Sequence, residues 1–194
     1  MVGNETVLRQ PKRKPKPLDR TTLNDLALSY VARFSTSGAR LEAYLARKIR
    51  ERGVAEGETQ LDPRAVVERL VELNYVDDEA YARARAGGLL RKGYGGRRVE
   101  QALRAAGIDD GVRESVSPGE GRSRRAALTL ARKRGFGPFG SEVPDRAKRE
   151  KQIAAMIRAG HGFDAARRLV EAASVEQAEE WVDEAAGEGD DAFG

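Results

Sequence analysis

Three short stretches decide the reading of this chain: Ile49-Arg50-Glu51-Arg52-Gly53-Val54, Leu103-Arg104-Ala105-Ala106-Gly107-Ile108 and Met156-Ile157-Arg158-Ala159-Gly160-His161. Each has an apolar residue, three mostly polar or small residues, and then glycine. The glycines lie 54 and 53 residues apart. A helix that ends in glycine is common by itself, because glycine adopts the left-handed exit conformation without penalty. Three matching ends at a near-constant period say more. They mark stacked supersecondary units, each too small to bury its own apolar face.

The residues around these ends read as helices. Leu23, Leu26, Ala27, Tyr30, Val31 and Phe34 recur at helical spacing, with Thr22 and Asp25 as a weak capping pair. A second helix starts at Ser37, is lined by Leu41, Tyr44, Leu45 and Ile49, and ends at Gly53. Asp62-Pro63 opens a third, with Asp as N-cap and Pro at the first helical position; Asn74 fills its exit. The pattern restarts at Asp77-Asp78-Glu79, acids at the positive end of a helix reaching about Arg91. Gly87 and Gly88 inside it cost about 1 kcal/mol each. The next helix carries Val99 and Leu103. Residues 109–121, with Pro118 and several turn formers, hold at most a short helix and make the clearest linker. A third pass places helices from Arg122 to Gly135, from Asp145 to Gly160, and around Phe163, Ala166, Leu169 and Val170. Alternation at spacing two is nearly absent, so no strand is expected.

The expected fold is all-α: tandem three-helix repeats stacked into an elongated, curved array. The expected units are a disordered basic arm (1–20), repeats at 21–76, 77–117 and 118–174, and an acidic C-terminal tail (175–194), part of it helical. Pro11-Lys12-Arg13-Lys14-Pro15-Lys16-Pro17 supports the arm, since proline blocks helix and like charges repel. Val175, Ala178, Trp181, Val182 and Ala185 allow an amphipathic helix before the end.

Charge is unevenly placed. The whole chain carries +4, but residues 176–194 hold eight acids and no Lys or Arg, which leaves residues 1–175 at +12. A basic body implies an anionic partner, whether nucleic acid, a nucleoprotein or an acidic groove. Cations gather at helix ends: Arg47, Lys48, Arg50 and Arg52; Arg91, Lys92, Arg97, Arg98 and Arg104; Arg132, Lys133 and Arg134; and Arg167 with Arg168. The helix dipole explains part of this. Recurrence in successive repeats predicts a basic stripe that tracks phosphate or an acidic surface. These fourteen residues are the candidate partner-binding set.

Catalytic signatures are missing. The chain has no cysteine and one histidine, His161, so neither a disulfide framework nor a Cys- or His-based metal site is expected. His161 follows a helix end, where a positive imidazolium is mildly favoured, and reads as structural. No phosphate-binding Gly-x4-Gly-Lys-Ser/Thr occurs. Gly135-Phe136-Gly137-Pro138-Phe139-Gly140 spells Gly-x-Gly-x-x-Gly, but a helix precedes it and a proline lies within it. It therefore reads as a loop with Phe136 and Phe139 pinned to helices. Asp77 and Asp78 are caps, Met156 is core and Trp181 a packing anchor. No run of 18 apolar residues and no apolar N-terminal region occur, so a cytoplasmic, membrane-free protein is expected. No enzyme activity and no cofactor are expected.

Two segments resemble a known family. Leu73-Asn74-Tyr75-Val76-Asp77-Asp78-Glu79-Ala80-Tyr81-Ala82 is similar to the RecX junction motif, usually Leu-Gly-Tyr-Leu-(Asn/Asp)-Asp-Glu-x-(Phe/Tyr)-Ala. Arg91-Lys92-Gly93-Tyr94-Gly95-Gly96-Arg97-Arg98-Val99, continuing through Ala102-Leu103 to Gly107-Ile108, resembles the second RecX motif. The likeness spans about residues 22–173 and is sharpest over 70–108. Asn74 stands for the usual Gly, Gly96 for Pro and Ala102 for Glu. The resemblance implies a non-catalytic regulator that binds the RecA recombinase filament. It would modulate ATP hydrolysis, strand exchange and co-protease activity in recombination and the SOS response, with inhibition as the expected direction. A monomer is expected, and the basic stripe could also take single- or double-stranded DNA. The alternative reading is a sequence-independent DNA- or RNA-binding helical protein.

Overall fold

Most helix starts here carry a side-chain cap, and the computed structural model shows those caps engaged. It describes residues 16–58 and 60–185. Asp19, Ser37, Asp62, Asp77, Asp109, Asp145 and Ser174 each accept from a backbone N–H of the first turn, which satisfies donors that a helix leaves unpaired. The helices are α1 (Arg20–Val31), α2 (Gly38–Arg52), α3 (Pro63–Glu72), α4 (Asp78–Arg91), α5 (Gly96–Arg104), α6 (Asp110–Ser115), α7 (Glu120–Arg134), α8 (Arg146–Arg158), α9 (Phe163–Glu171) and α10 (Val175–Asp183). A 3-10 turn, Gly137–Phe139, lies between α7 and α8. Among the described residues there is no strand, only one isolated bridge between Leu18 and Val54. The fold is an all-α tandem stack of helical repeats.

Three buried clusters succeed one another along the chain. The first gathers Leu18, Leu23, Leu41, Leu45, Val67, Leu70 and Val76 from α1–α3 and their flanks. The second gathers Tyr81, Leu89, Leu90, Val99, Leu103, Ile108 and Val116 from α4–α6 and their connections. The third gathers Leu128, Leu130, Met156, Leu169 and Val170 with Ala178 and Val182. Helix α7 serves two cores: Ala126 belongs to the second and Ala127 to the third. Neighbouring residues of one helix face different sides, so a single helix can close one core and open the next.

Some details depart from the sequence reading. α1 begins at Arg20, capped by Asp19, whose carboxylate accepts from Thr22 N at 2.7 Å; Thr22 is not the cap. α1 stops at Val31, and Phe34 lies past its end, 56% exposed, with its ring 5.1 Å from that of Tyr30. The helical extrapolation to Phe34 fails because the helix has already ended. Residues 109–121 form α6, a turn and the start of α7, and Val116 is buried, so the expected linker supplies the third helix of the second core. Asn74 does adopt the left-handed conformation, at φ +57°.

Both expected tails meet the described residues at their inner ends. Residues 1–15 of the arm lie outside the described residues. Leu18 is fully buried; its N–H donates to Gly53 O at 2.9 Å, and its carbonyl accepts from Ala55 N at 2.8 Å. Order therefore reaches back before Thr22. At the other end α10 packs on α7 and contributes to the third core. Residues 186–194 lie outside the described residues.

Two of the three period-marking glycines, Gly107 and Gly160, lie where repeats dock. At the end of α5, the Ala106 carbonyl accepts from the buried Ser37 Oγ at 2.5 Å, at the start of α2. Gly107 has φ +72°, and a Cβ there would lie 2.4 Å from Ala39 Cβ. One repeat later, at the end of α8, the Ala159 carbonyl accepts from Gly95 N at 3.0 Å, and the Gly160 carbonyl from Arg97 N at 3.2 Å, at the start of α5. Each of these middle helices thus sets its N-terminus on the C-terminus of the next one. At Gly53 the Leu18 segment, not a helix start, takes up the carbonyl.

Candidate functional site

At the joint between the second and third repeats, the turn Gly93–Gly96 lies against the end of α8. The His161 side chain is buried, and its Nε2 is 3.0 Å from the Gly93 carbonyl oxygen. A carbonyl only accepts, so Nε2 carries the proton. Burial pushes the imidazole below its ordinary range, and the bond to Gly93 opposes this in part. Neutral imidazole is therefore favoured, and the helix-end preference for imidazolium is overridden. The sign follows. The folded protein resists protonation more than the unfolded chain, so stability is complete above about pH 6.5 and falls as pH drops below it. The chemical-denaturation midpoint of the native protein is expected to fall between about pH 6.5 and 5. His161→Gln, which keeps a donor but cannot titrate, should flatten that limb. Equal slopes for both proteins would show that His161 does not govern it.

The fourteen candidate cations do not form one surface of equals. Several are already paired. Arg47 and Lys48 contact Glu51, at 3.7 and 2.7 Å, and both lie near the Tyr44 ring. Arg104 pairs with Glu100 at 2.9 Å, Arg167 with Glu171 at 2.9 Å, and Arg132 with Glu179 of α10. Arg52 Nε donates to the Lys16 carbonyl at 2.7 Å and so ties down the N-terminal segment. Arg168 lies over the Trp181 ring, 6.0 Å from its centroid. Arg124 stacks on the same ring at 4.5 Å and donates to the Trp181 carbonyl, so Trp181 anchors α10 to α7. Arg50, Arg91, Arg97 and Arg98 are exposed; Arg98 donates to Gln101 Oε1 at 2.7 Å.

Lys92, Lys133 and Arg134 behave differently. They line two adjoining cavities of about 340 and 500 Å³ that share Arg134, Phe136 and Ala155. Lys148, Lys151 and Arg158 of α8 complete the walls, together with Tyr94, Phe136 and Phe139. No carboxylate lines either cavity. No ion pair to any of these six cations occurs among the described residues. By contrast, the larger groove of about 1080 Å³ beside Trp181 has both signs of charge in its walls, five carboxylates beside Arg124, Arg167 and Arg168. Lys148, Lys151 and Arg158, which line these cavities, are not among the fourteen candidates read from the sequence. The available signal was Arg146, Lys148 and Arg149 crowding the first turn of α8, where cations oppose the helix dipole.

The Gly135–Gly140 stretch forms the 3-10 turn, with Gly137 N donating to the buried Gln152 Oε1 at 3.0 Å. A helix, not a strand, leads into it. Among the described residues no cluster of His, Asp and Glu could hold a metal ion, and no helix is long and apolar enough to cross a membrane.

Residues 77–116, which span α4 to α6, match the family model described as RecX, second three-helix domain. The regulatory protein RecX of Myxococcus xanthus (strain DK1622) is 32% identical over 171 residues, covering 84% of this chain and 91% of that protein. The regulatory protein RecX of Thermus thermophilus is 39% identical over 108 residues, 56% of this chain and 68% of that one. Among solved structures, RecX from Lactobacillus salivarius superposes with a TM-score of 0.61 at 17% identity, over 84% of this chain and 96% of that chain. That likeness concerns the fold. A second structure, of a regulatory protein RecX, gives 0.56 at 18% identity over 75% of this chain and 68% of that one. With 91% of the Myxococcus protein matched at 32% identity, the chain belongs to the RecX family of regulatory proteins.

Proposed function

We propose that this protein is a non-catalytic regulator of the RecA recombinase. It binds the RecA nucleoprotein filament and inhibits its ATPase, strand-exchange and co-protease activities in recombination and the SOS response. The observation that carries the reading is the family match over nearly the full length of a regulatory relative. The three units at 21–76, 77–117 and 118–174 act as successive docking modules, and exposed cations among the fourteen candidates meet acidic protein or phosphate along the filament.

The deciding measurement is ATP hydrolysis by RecA of the same organism on single-stranded DNA, with increasing amounts of this protein. A fall in rate at substoichiometric to stoichiometric ratios is expected, with no hydrolysis by the protein alone. No effect at any ratio would overturn the reading. Capture of RecA after nuclease treatment separates protein contact from a shared nucleic acid.

Arg97 and Arg98 supply the site test. They stand in the first turn of α5 with exposed side chains, where cations oppose the dipole by a few tenths of a kcal/mol. The Arg97 backbone holds the joint to Gly160, and alanine keeps that backbone intact. Arg97→Ala with Arg98→Ala is expected to leave thermal stability within about 0.5 kcal/mol of the native protein. Inhibition should then require several-fold more protein, with a shallower salt dependence. Unfolding of the double variant with inhibition per folded molecule intact would make the two arginines structural.

A further inference from the structure

Six cations line two joined cavities with no carboxylate among them, which makes a patch of uncompensated positive charge suited to an anion. Lys148, Lys151, Arg158, Lys92, Lys133 and Arg134 are all exposed, so their charges are hydrated and the arrangement has no evident folding role. Two of them, Lys148 and Lys151, sit in the first two turns of α8, at its positive end, which raises the local potential further. The groove also holds aromatic faces. Tyr94 is 37% exposed, while Phe136 and Phe139 line the groove half-buried, packed against the third core.

We propose that this groove, at the joint of the second and third repeats, binds single-stranded nucleic acid without regard to sequence. Phosphates lie along the Lys92, Lys133, Arg134, Lys148, Lys151 and Arg158 side chains. Bases stack on the exposed ring of Tyr94. Cations supply the salt-sensitive attraction, and aromatic rings accept any base because every base has a π-face. A duplex keeps its bases stacked inside and offers no face to this ring. An acidic peptide would satisfy the cations but leave the exposed Tyr94 ring without a partner. The proposal rests on reading the basic residues as a partner surface, and gives Lys92, Lys133 and Arg134 a nucleic acid rather than a protein as ligand.

The test is fluorescence anisotropy of a fluorescein-labelled oligothymidine with the full chain and no recombinase present. Failure here therefore leaves the recombinase reading standing, and the reverse also holds. Lys148→Ala with Lys151→Ala and Arg158→Ala should weaken binding at least ten-fold and make the slope of log affinity against log salt shallower by about 2. Tyr94→Ala should weaken binding on the order of ten-fold with the slope unchanged, and Tyr94→Phe should restore it. Arg64→Ala, on α3 and paired with Glu68, is the control that leaves binding unaltered. Thermal melts of the triple variant should match the native protein, since all three side chains are exposed. Three results overturn the proposal: unchanged affinity in the triple variant, a blunt duplex bound as tightly as the single strand, or polyglutamate displacing the oligomer with no effect of Tyr94→Ala.

Discussion

Gly95→Ala is expected to pull the second and third repeats apart, at a cost of about 3 kcal/mol. A Cβ on Gly95 would lie 2.3 Å from Gly160 O, 2.4 Å from Gly160 C and 2.5 Å from His161 N. All three are main-chain atoms, so no rotamer change relieves the overlap. The only relief is to move α5 away from the end of α8. That breaks the bonds from Gly95 N to Ala159 O and from Arg97 N to Gly160 O, and draws Gly93 O away from His161. Urea unfolding should show a lowered midpoint, and hydrogen exchange should show lost protection at the amides of position 95 and Arg97 before the rest of α5. Gly96→Ala is the contrast. Its Cβ would meet only Pro118, with Cγ at 3.3 Å, and the lower entropy of the unfolded chain, worth about 0.4–1 kcal/mol, offsets a small adjustment. Should the two variants unfold alike, the joint is softer than its geometry says.

Leu103→Ala is expected to cost on the order of 2–5 kcal/mol, which rivals the total stability of a small domain. Leu103 is fully buried and belongs to the second core with Val99, Ala106, Ile108 and Val116. That core also takes Tyr81, Leu89 and Leu90 from α4 and Ala126 from α7, so Leu103 is enclosed on several sides. Arg104→Ala, one residue on, removes only an exposed pair with Glu100 and should change stability by less than about 0.5 kcal/mol. Equilibrium urea unfolding of the two variants gives the comparison directly. A Leu103→Ala cost below about 1 kcal/mol would mean the second core is loosely packed.

Local features were legible in the chain because they depend on residues three or four apart. The caps at Ser37, Asp62, Asp77 and Asp145 all engage. Asn74 takes its left-handed exit, and Met156 lies in the third core. The same local logic misled at Phe34, where the apolar spacing runs on past the helix end. It also placed the start of order at Thr22, because nothing within a few residues of Leu18 shows that Gly53 will pair with it. The pairing of the cations was not legible. Spacing finds arginines at helix ends, but not whether a carboxylate elsewhere neutralises them. Arg132 meets Glu179, and the pairing spans 47 residues.

Helicity, most helix boundaries and a unit recurring at 54 and 53 residues could all be read from the order of residues. Those properties follow from backbone hydrogen bonding and side-chain periodicity within single helices. What the recurring glycines do could not be read that way. Gly107 and Gly160 lie where another helix start must come within contact distance, and the partners are far apart in the chain: Ser37 and Ala106 are separated by 69 residues, Gly93 and His161 by 68. Docking of the repeats also brought Lys92, just past the end of α4, to the same groove as Lys148, Lys151 and Arg158 on α8, and kept every carboxylate out of its walls. Charge counts are additive along a chain, but an electrostatic surface depends on distances, and those exist only once the repeats have docked.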